Sequence, residues 1–227
     1  MELILAEKPS AARNFAKALG GKTGSYAGTE YKITNLRGHV MGLLPPDRQV
    51  PADKADFYKS WELENLPWDL DDFAWKKGIL SGCKDIISGL KDELKGADCV
   101  VIATDVDPSG EGELLAWEAL EKCGWNGQTK RMYFADEAPA SVQKAFRERK
   151  TLPSMDKDGD YVKAVVRERW DLASMQFTRA ATLVARKKGF RTVVRQGRLK
   201  SVMVKLTGDQ LKAYNEYVRK PFYEERF

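Results

Sequence analysis

The chain has 227 residues, of which 43% are hydrophobic and 31% charged, and its formal net charge is +5. This length suits one large or two modest domains, since domains usually contain about 100–200 residues, and the apolar content excludes a disordered chain. No apolar run approaches the roughly 18–20 residues that a membrane-spanning helix needs, and charged residues follow the start too soon for a signal peptide. Three widely spaced cysteines without a C-x-x-C pair argue against a disulfide scaffold and a structural zinc site. We therefore expect a cytoplasmic protein with no membrane partner.

Charge is distributed unevenly along the chain. Residues 1–160 contain 22 Lys and Arg against 27 Asp and Glu, whereas residues 161–200 contain 11 against 2. A basic block beside an acidic domain predicts a polyanionic partner, because arginine side chains suit phosphate groups. A solvated helix face is the alternative interpretation of such a block. Apolar residues recur through it at helical spacing, which predicts that the block is folded.

Strand and helix signals alternate over the first 150 residues. Short apolar runs predict buried strands at 3–6, 99–103 and 131–134. Helical periodicity predicts helices at 11–19, after Pro9-Ser10, and at 79–94, 111–122 and 140–149. This alternation is typical of an α/β fold with a parallel sheet covered on both faces. We expect one such domain at 1–150 and, after a polar linker, a mainly helical basic segment within 151–227.

Two of the predicted strands end in acidic residues. The first runs into Glu7, and the second runs into Asp105 and Asp107. Ligands bind at the carboxyl ends of parallel strands, and alternate residues of an extended chain point the same way, so Asp105 and Asp107 can share a cation. Crowded carboxylate oxygens suit Mg²⁺, whereas zinc prefers His or Cys. The alternative is a loop whose polar residues cap the next helix, with Ser109 as the N-cap. We favour the magnesium site.

Several short motifs follow one another in a fixed order: Glu-Lys-Pro-Ser at 7–10, Gly-His-Val at 38–40, Asp-Val-Asp and Glu-Gly-Glu within 105–113, Arg-x-Arg-x-Asp at 167–171, and Gly-Arg-Leu-Lys-Ser at 197–201. Together they resemble the Rossmann-like Toprim domain of type IA DNA topoisomerases and the start of the DNA-binding domain after it. The likeness is greatest to the bacterial topoisomerase III branch. It implies Mg²⁺-dependent cleavage and rejoining of single-stranded or negatively supercoiled DNA through a tyrosine.

The resemblance also implies roles for individual residues. Glu7 would be the acid/base for the leaving 3′-hydroxyl, and Lys8 would contact the scissile phosphate. Asp105, Asp107 and Glu111 would hold Mg²⁺. The family usually has one residue between the second Asp and Glu-Gly, where this chain has three, so Glu113 stays open as the third carboxylate. Contacts to DNA are expected from His39, Arg167, Arg169, Arg179, Arg198 and Lys200.

The family's nucleophilic tyrosine lies in a separate downstream domain. Tyr217 has a faintly similar setting, but it falls where a helix is expected to end, so we do not expect it to be the nucleophile. The sequence therefore indicates an N-terminal fragment that binds Mg²⁺ and DNA but needs the missing C-terminal tyrosine-bearing domains to relax DNA. Two alternatives stay open: a self-contained Toprim nuclease or primase-like protein, and a non-catalytic nucleic-acid-binding module.

Overall fold

The computed structural model describes residues 1–226, and the strands and helices alternate through most of that range. The strands are β1 (Glu2–Ala6), β2 (Thr23–Tyr26), β3 (Thr29–Asn35), β4 (Met41–Leu43), β5 (Lys77–Ile79), β6 (Cys99–Ala103), β7 (Gln128–Arg131) and β8 (Lys150–Thr151). The helices are α1 (Pro9–Leu19), α2 (Pro46–Gln49), α3 (Ala55–Lys59), α4 (Lys84–Leu94), α5 (Glu111–Cys123), α6 (Pro139–Arg147), α7 (Gly159–Lys187) and α8 (Arg198–Asn215). The predicted α/β class is confirmed.

The main sheet has six strands in the order β2-β3-β1-β6-β7-β8. Its four central strands run parallel, and the two edge strands, β2 and β8, are antiparallel to their neighbours. Strands β1 and β6 lie side by side with Ala6 opposite Ala103. The two strands that end in acidic residues are therefore adjacent, and their carboxyl ends meet at one edge.

Both faces of the sheet are buried, which explains why its central strands are continuously apolar. Leu3 and Leu5 of β1 pack on one face with residues of α4 and α5. Ile4 and Ala6 point to the other face, where α1 and α6 cover them. Alternate residues of a strand face opposite sides, so a sheet with two covered faces needs apolar residues at every position.

Two predicted elements differ from the structure. The third strand is β7 at Gln128–Arg131 rather than 131–134, because Met132 and Phe134 pack into the apolar core beyond the strand end. The helix predicted at 79–94 begins only at Lys84, because Ile79 is the last residue of β5, which pairs with β4, and a turn at 80–83 follows it. In both places, apolar residues outside the element continue its hydrophobic pattern in the sequence. Periodicity alone therefore misplaces the bounds of β7 and the start of α4.

Helix α7 is tied to the sheet domain at its first residues. Asp158 caps α7 by accepting hydrogen bonds from the backbone N–H of Asp160 at 3.1 Å and of Tyr161 at 3.4 Å. Its other oxygen accepts a bond from the indole N–H of Trp117, in α5, at 2.8 Å. The cap therefore fixes the start of the basic segment against α5. No helix of residues 1–226 is long and apolar enough to cross a bilayer.

The buried carboxylate of Glu2 predicts how stability depends on pH. Lys130 and Arg149 donate hydrogen bonds to it at 2.5 and 2.6 Å. Burial alone would raise the pKa of Glu2, but these bonds outweigh burial and hold it below its ordinary value of 4.5. The ion pairs therefore stabilise the fold above that pH, and this contribution is lost as the pH falls through the lowered pKa.

We expect Glu2→Gln to reduce the free energy of unfolding by about 1–3 kcal/mol at neutral pH, with a smaller difference from the wild type in acid. Urea denaturation at several pH values measures this difference. Glu30→Gln, at an exposed position on β3, is the matched control and should change little. A Glu2→Gln deficit that grows on acidification would contradict the sign of the pKa shift.

Candidate active site at the ends of β1 and β6

Three of the predicted site residues, Glu7, Lys8 and Asp105, meet where β1 and β6 end. The backbone N–H of Asp105 donates to Glu7 Oε2 at 3.2 Å. The Lys8 ammonium donates to Asp105 Oδ2 at 3.1 Å, and both side chains are roughly half exposed. That ion pair is the main reason why the pKa of Lys8 is raised. An acid, a cation and a second acid are thus held within one exposed cluster.

Asp107 lies against the start of α5. Oδ1 of its carboxylate accepts a hydrogen bond from the backbone N–H of Ser109 at 2.7 Å, and another from the Ser109 hydroxyl. Burial would raise the pKa of Asp107, but these bonds and one from the Gly112 backbone keep it lowered. The capping interpretation predicts Ser109 as the N-cap of α5, but Ser109 does not occupy that position. That position is taken by Gly110, which has a left-handed φ of +74°.

Two glycines allow the acidic loop to pack tightly. At Gly110, a Cβ would lie 2.2 Å from the backbone oxygen of Asp160 at the start of α7. At Gly112, a Cβ would lie 2.2 Å from the backbone oxygen of Asp105 and 2.9 Å from Thr104 Oγ1. The Gly-Glu-Gly sequence therefore lets α5 begin directly under the carboxylate loop and beside α7.

Gly112→Ala is expected to destabilise the protein by about 1–3 kcal/mol, because the new methyl group must displace the Asp105 carbonyl. Gly89→Ala is the matched control, since Gly89 is also helical and has open space around a Cβ. Alanine there should stabilise the protein by about 0.5–1 kcal/mol through helix propensity. Thermal unfolding of both variants gives the comparison. A Gly112→Ala protein as stable as Gly89→Ala would show that the loop is not constrained by this contact.

Glu111 and Glu113, the two open choices for the third carboxylate, have opposite surroundings. Glu111 is partly exposed; Arg167 forms an ion pair with one of its oxygens, and His39 Nε2 lies 2.8 Å from the other. Arg167 and then His39 lower the pKa of Glu111. Glu113 is 2% exposed, and its Oε1 accepts a hydrogen bond from Nε of the buried Arg131 at 2.6 Å. Of the two, only Glu111 is exposed enough to reach a ligand.

The chemistry of these donors fits Mg²⁺, which usually takes one or two protein carboxylates and completes its shell with water and substrate phosphate. Asp105, Asp107 and Glu111 offer hard oxygen ligands in succession along one exposed loop and helix start. Within residues 1–226, however, no three His, Cys, Asp or Glu side chains are gathered closely enough to hold an ion together. Each carboxylate instead has a partner of its own: Lys8, Ser109 or Arg167.

The predicted DNA-contacting residues lie in different settings. Arg198 forms a two-pronged ion pair with Asp171, at 2.6 and 3.0 Å, and Lys200 is exposed on the first turn of α8. The guanidinium of Arg169 stacks over the Trp75 ring at 5.1 Å, at the rim of a cleft of about 500 Å³ between α5 and α7.

Arg179 does not offer its charge to a polyanion in this structure. It is 6% exposed, donates hydrogen bonds to the backbone carbonyls of Tyr58 and Ser60, and stacks on Trp68 at 4.7 Å. Burial lowers the pKa of Arg179. These contacts join α7 to the aromatic cluster of residues 50–75. A DNA contact by Arg179 stays a prediction, and it would require the guanidinium to leave this buried position.

The chain is an α/β protein with an exposed cluster of acids and a lysine at the carboxyl edge of its sheet, which is where ligands bind in such sheets. The chain matches the Toprim domain over residues 2–136, and it belongs to the Toprim domain family. A DNA topoisomerase 3 of Staphylococcus epidermidis is 30% identical over 65% of this chain and 20% of its own length. One from Staphylococcus haemolyticus is 28% identical over 97% of this chain and 30% of its own length.

Among solved structures, full-length topoisomerase I from Thermotoga maritima has the same fold, with a TM-score of 0.61 and 21% identity over 95% of this chain and 31% of its own. The resemblance to the N-terminal region of type IA topoisomerases is thereby confirmed. This chain spans about a fifth to a third of the length of these relatives.

Proposed function

We propose that this chain is the N-terminal part of a type IA DNA topoisomerase, with a Toprim domain at 1–150 and the start of a basic DNA-binding domain at 151–227. It acts in the cytoplasm on single-stranded or negatively supercoiled DNA, cleaving and rejoining one strand in a Mg²⁺-dependent reaction. The nucleophilic tyrosine comes from C-terminal domains outside this sequence. The observation that carries the proposal is the cluster of Glu7, Lys8 and Asp105 at the ends of two adjacent parallel strands.

Each member of the cluster has a task in that reaction. Glu7 gives a proton to the leaving 3′-hydroxyl and takes it back on rejoining. Lys8 offsets charge on the scissile phosphate, for which its exposed ammonium is free to turn from Asp105. Asp105, Asp107 and Glu111 would hold Mg²⁺, which would supply stabilisation of negative charge on the phosphate oxygens. Arg167 and His39 orient Glu111.

The DNA backbone follows the exposed cations of the basic segment toward the cluster. Arg167 is ion-paired with Glu111 at the start of α5, and Arg198 and Lys200 lie at the start of α8. Arg169 joins them after leaving Trp75. The apolar side chains of α8 support the proposal that further domains cover this segment, since Leu199 is 78% and Val204 73% exposed.

The test uses a chimera in which residues 1–227 replace the matching 30% of the Staphylococcus haemolyticus relative. With labelled single-stranded DNA, Mg²⁺ and a denaturing quench, we expect a covalent protein–DNA adduct from the chimera. The same chimera with Glu7→Gln should lose about a hundredfold or more in adduct formation, since proton transfer contributes about 10²–10⁴-fold. The chain alone should bind the DNA without an adduct.

Other outcomes would overturn the proposal. Mg²⁺-dependent cleavage by the chain alone without an adduct would identify a self-contained Toprim nuclease. An adduct formed by the chain alone would assign the nucleophile to one of its own tyrosines, with Tyr217 the first to replace. Binding that falls steeply with salt, with a folded but inactive chimera, would leave a nucleic-acid-binding module.

A further inference from the structure

Arg131, the last residue of β7, is the largest fully buried side chain among residues 1–226, and the proposed chemistry assigns it no role. Its guanidinium lies behind the acidic loop. Nη1 donates to the backbone carbonyl of Thr104 at 2.7 Å, and Nη2 donates to that of Asp105 at 3.1 Å. A longer bond of 3.4 Å reaches the carbonyl of Ile102, and Nε donates to Glu113 at 2.6 Å.

These contacts lie just beyond the point where the strand pairing of the sheet ends. Strand β6 ends at Ala103, so the carbonyls of Thr104 and Asp105 lie beyond the described ladder between β6 and β7. A buried carbonyl without a partner is costly, and a planar guanidinium with five donors can satisfy several carbonyls at once. Arg131 therefore extends the bonding of the sheet two residues past the end of the strand.

The backbone around Asp105 is consequently fixed from three sides. Glu7 accepts a hydrogen bond from the Asp105 N–H, and Arg131 donates one to the Asp105 carbonyl oxygen. Gly112 packs against the same carbonyl oxygen. With both peptide groups held, the direction of the Asp105 Cα–Cβ bond is fixed, and the carboxylate lies 3.1 Å from the Lys8 ammonium. A shift of the Thr104–Asp105 peptide would therefore move the Asp105 carboxylate, even if the exposed residues of the site were unchanged.

We propose that Arg131 is a positioning residue, which clamps the Thr104 and Asp105 carbonyls so that the Asp105 carboxylate is aimed at the metal- and phosphate-binding cluster. The metal-binding role of Asp105 rests on the proposed function. The clamping of the Thr104 and Asp105 carbonyls by Arg131 does not depend on it. Glu113 has a different part: it balances the buried charge of Arg131 and does not touch the loop carbonyls.

Two conservative variants of the same buried pair separate the clamp from general stability. Arg131→Lys keeps a positive charge near Glu113 but cannot reach several carbonyls with one ammonium group. Glu113→Gln keeps an acceptor for Nε and leaves the carbonyl bonds in place. Both should lower the melting temperature, because both disturb a buried ion pair. Only Arg131→Lys should release the loop.

Two readouts decide the question on the purified chain. Mn²⁺ titration followed by electron paramagnetic resonance should show affinity weakened about 10–100-fold in Arg131→Lys, the usual cost of losing a group that orients a ligand, and nearly unchanged in Glu113→Gln. Amide hydrogen exchange at Asp105 and Ser109, referenced to the amides of α1, should be faster in Arg131→Lys only.

The outcomes of the two readouts are distinct. Failure of the wild type to bind Mn²⁺ would refute the proposed metal site, while hydrogen exchange would still decide the clamp. Unchanged exchange at Asp105 and Ser109 in Arg131→Lys would overturn the inference. Equal losses of Mn²⁺ affinity in both variants would also overturn it, because they would show that the buried ion pair alone supports the site.

Discussion

Replacing Glu113 by alanine is expected to destabilise the fold by about 3–5 kcal/mol, whereas Glu111→Ala should change the free energy of unfolding by at most about 1 kcal/mol. The two glutamates are two residues apart in α5, but their partners differ. Glu113 and Arg131 are both buried, with side chains 3% and 0% exposed. Without Glu113, the arginine keeps its carbonyl contacts but loses the negative charge that balances it inside the protein.

Such a loss is a large fraction of the stability of an ordinary domain, about 5–15 kcal/mol, so Glu113→Ala should expose the chain to proteolysis and lower its yield. Glu111 is 43% exposed at its side chain, and water can replace it around Arg167 and His39. Urea denaturation of both variants at neutral pH gives the comparison. Equal stabilities would show that Glu113 is no more structural than Glu111, and a larger loss at Glu111 would identify Glu111 as the structural carboxylate; either result would reopen Glu113 as a ligand.

The sequence predicts the reactive edge well because it depends on local patterns and one general rule. Apolar runs at β1 and β6 are followed at once by acids, and parallel strands present their carboxyl ends together. The remaining condition, that β1 and β6 are neighbours, is supplied by tertiary structure: their pairing has Ala6 opposite Ala103. The convergence of Glu7, Lys8 and Asp105 then follows.

The sequence does not predict which charged residues are buried. Arg179 lies in a block of exposed cations and has their spacing, but the aromatic residues that enclose it come from a loop more than a hundred positions earlier. Arg131 is followed by apolar residues, and the apolar pattern predicts a strand that begins at Arg131 instead of ending there. An arginine entering a buried strand implies a buried acid as partner, and Glu113 was present in the sequence as a candidate.

Because Lys8 and Asp105 form an ion pair, we expect replacement of the one and replacement of the other to change metal affinity in opposite directions. Asp105→Asn removes a negative ligand and should weaken Mn²⁺ or Mg²⁺ binding by about tenfold or more. Lys8→Met removes the cation that occupies Asp105 and should strengthen binding severalfold, by roughly 1 kcal/mol, which is the usual upper value of a partly exposed pair. Both side chains are nearly half exposed, so neither change should alter stability much.

Isothermal titration of the two variants with Mn²⁺ measures these shifts, and Asp85→Asn, at an exposed position of α4, is the control for loss of one negative charge. That control should bind as the wild type does. If Lys8→Met weakened binding as Asp105→Asn does, the lysine would be holding the carboxylate in place rather than competing for it. Under the proposed function, the competitive arrangement predicts that a bound DNA phosphate would draw Lys8 away from Asp105, so that DNA and metal would each favour the binding of the other.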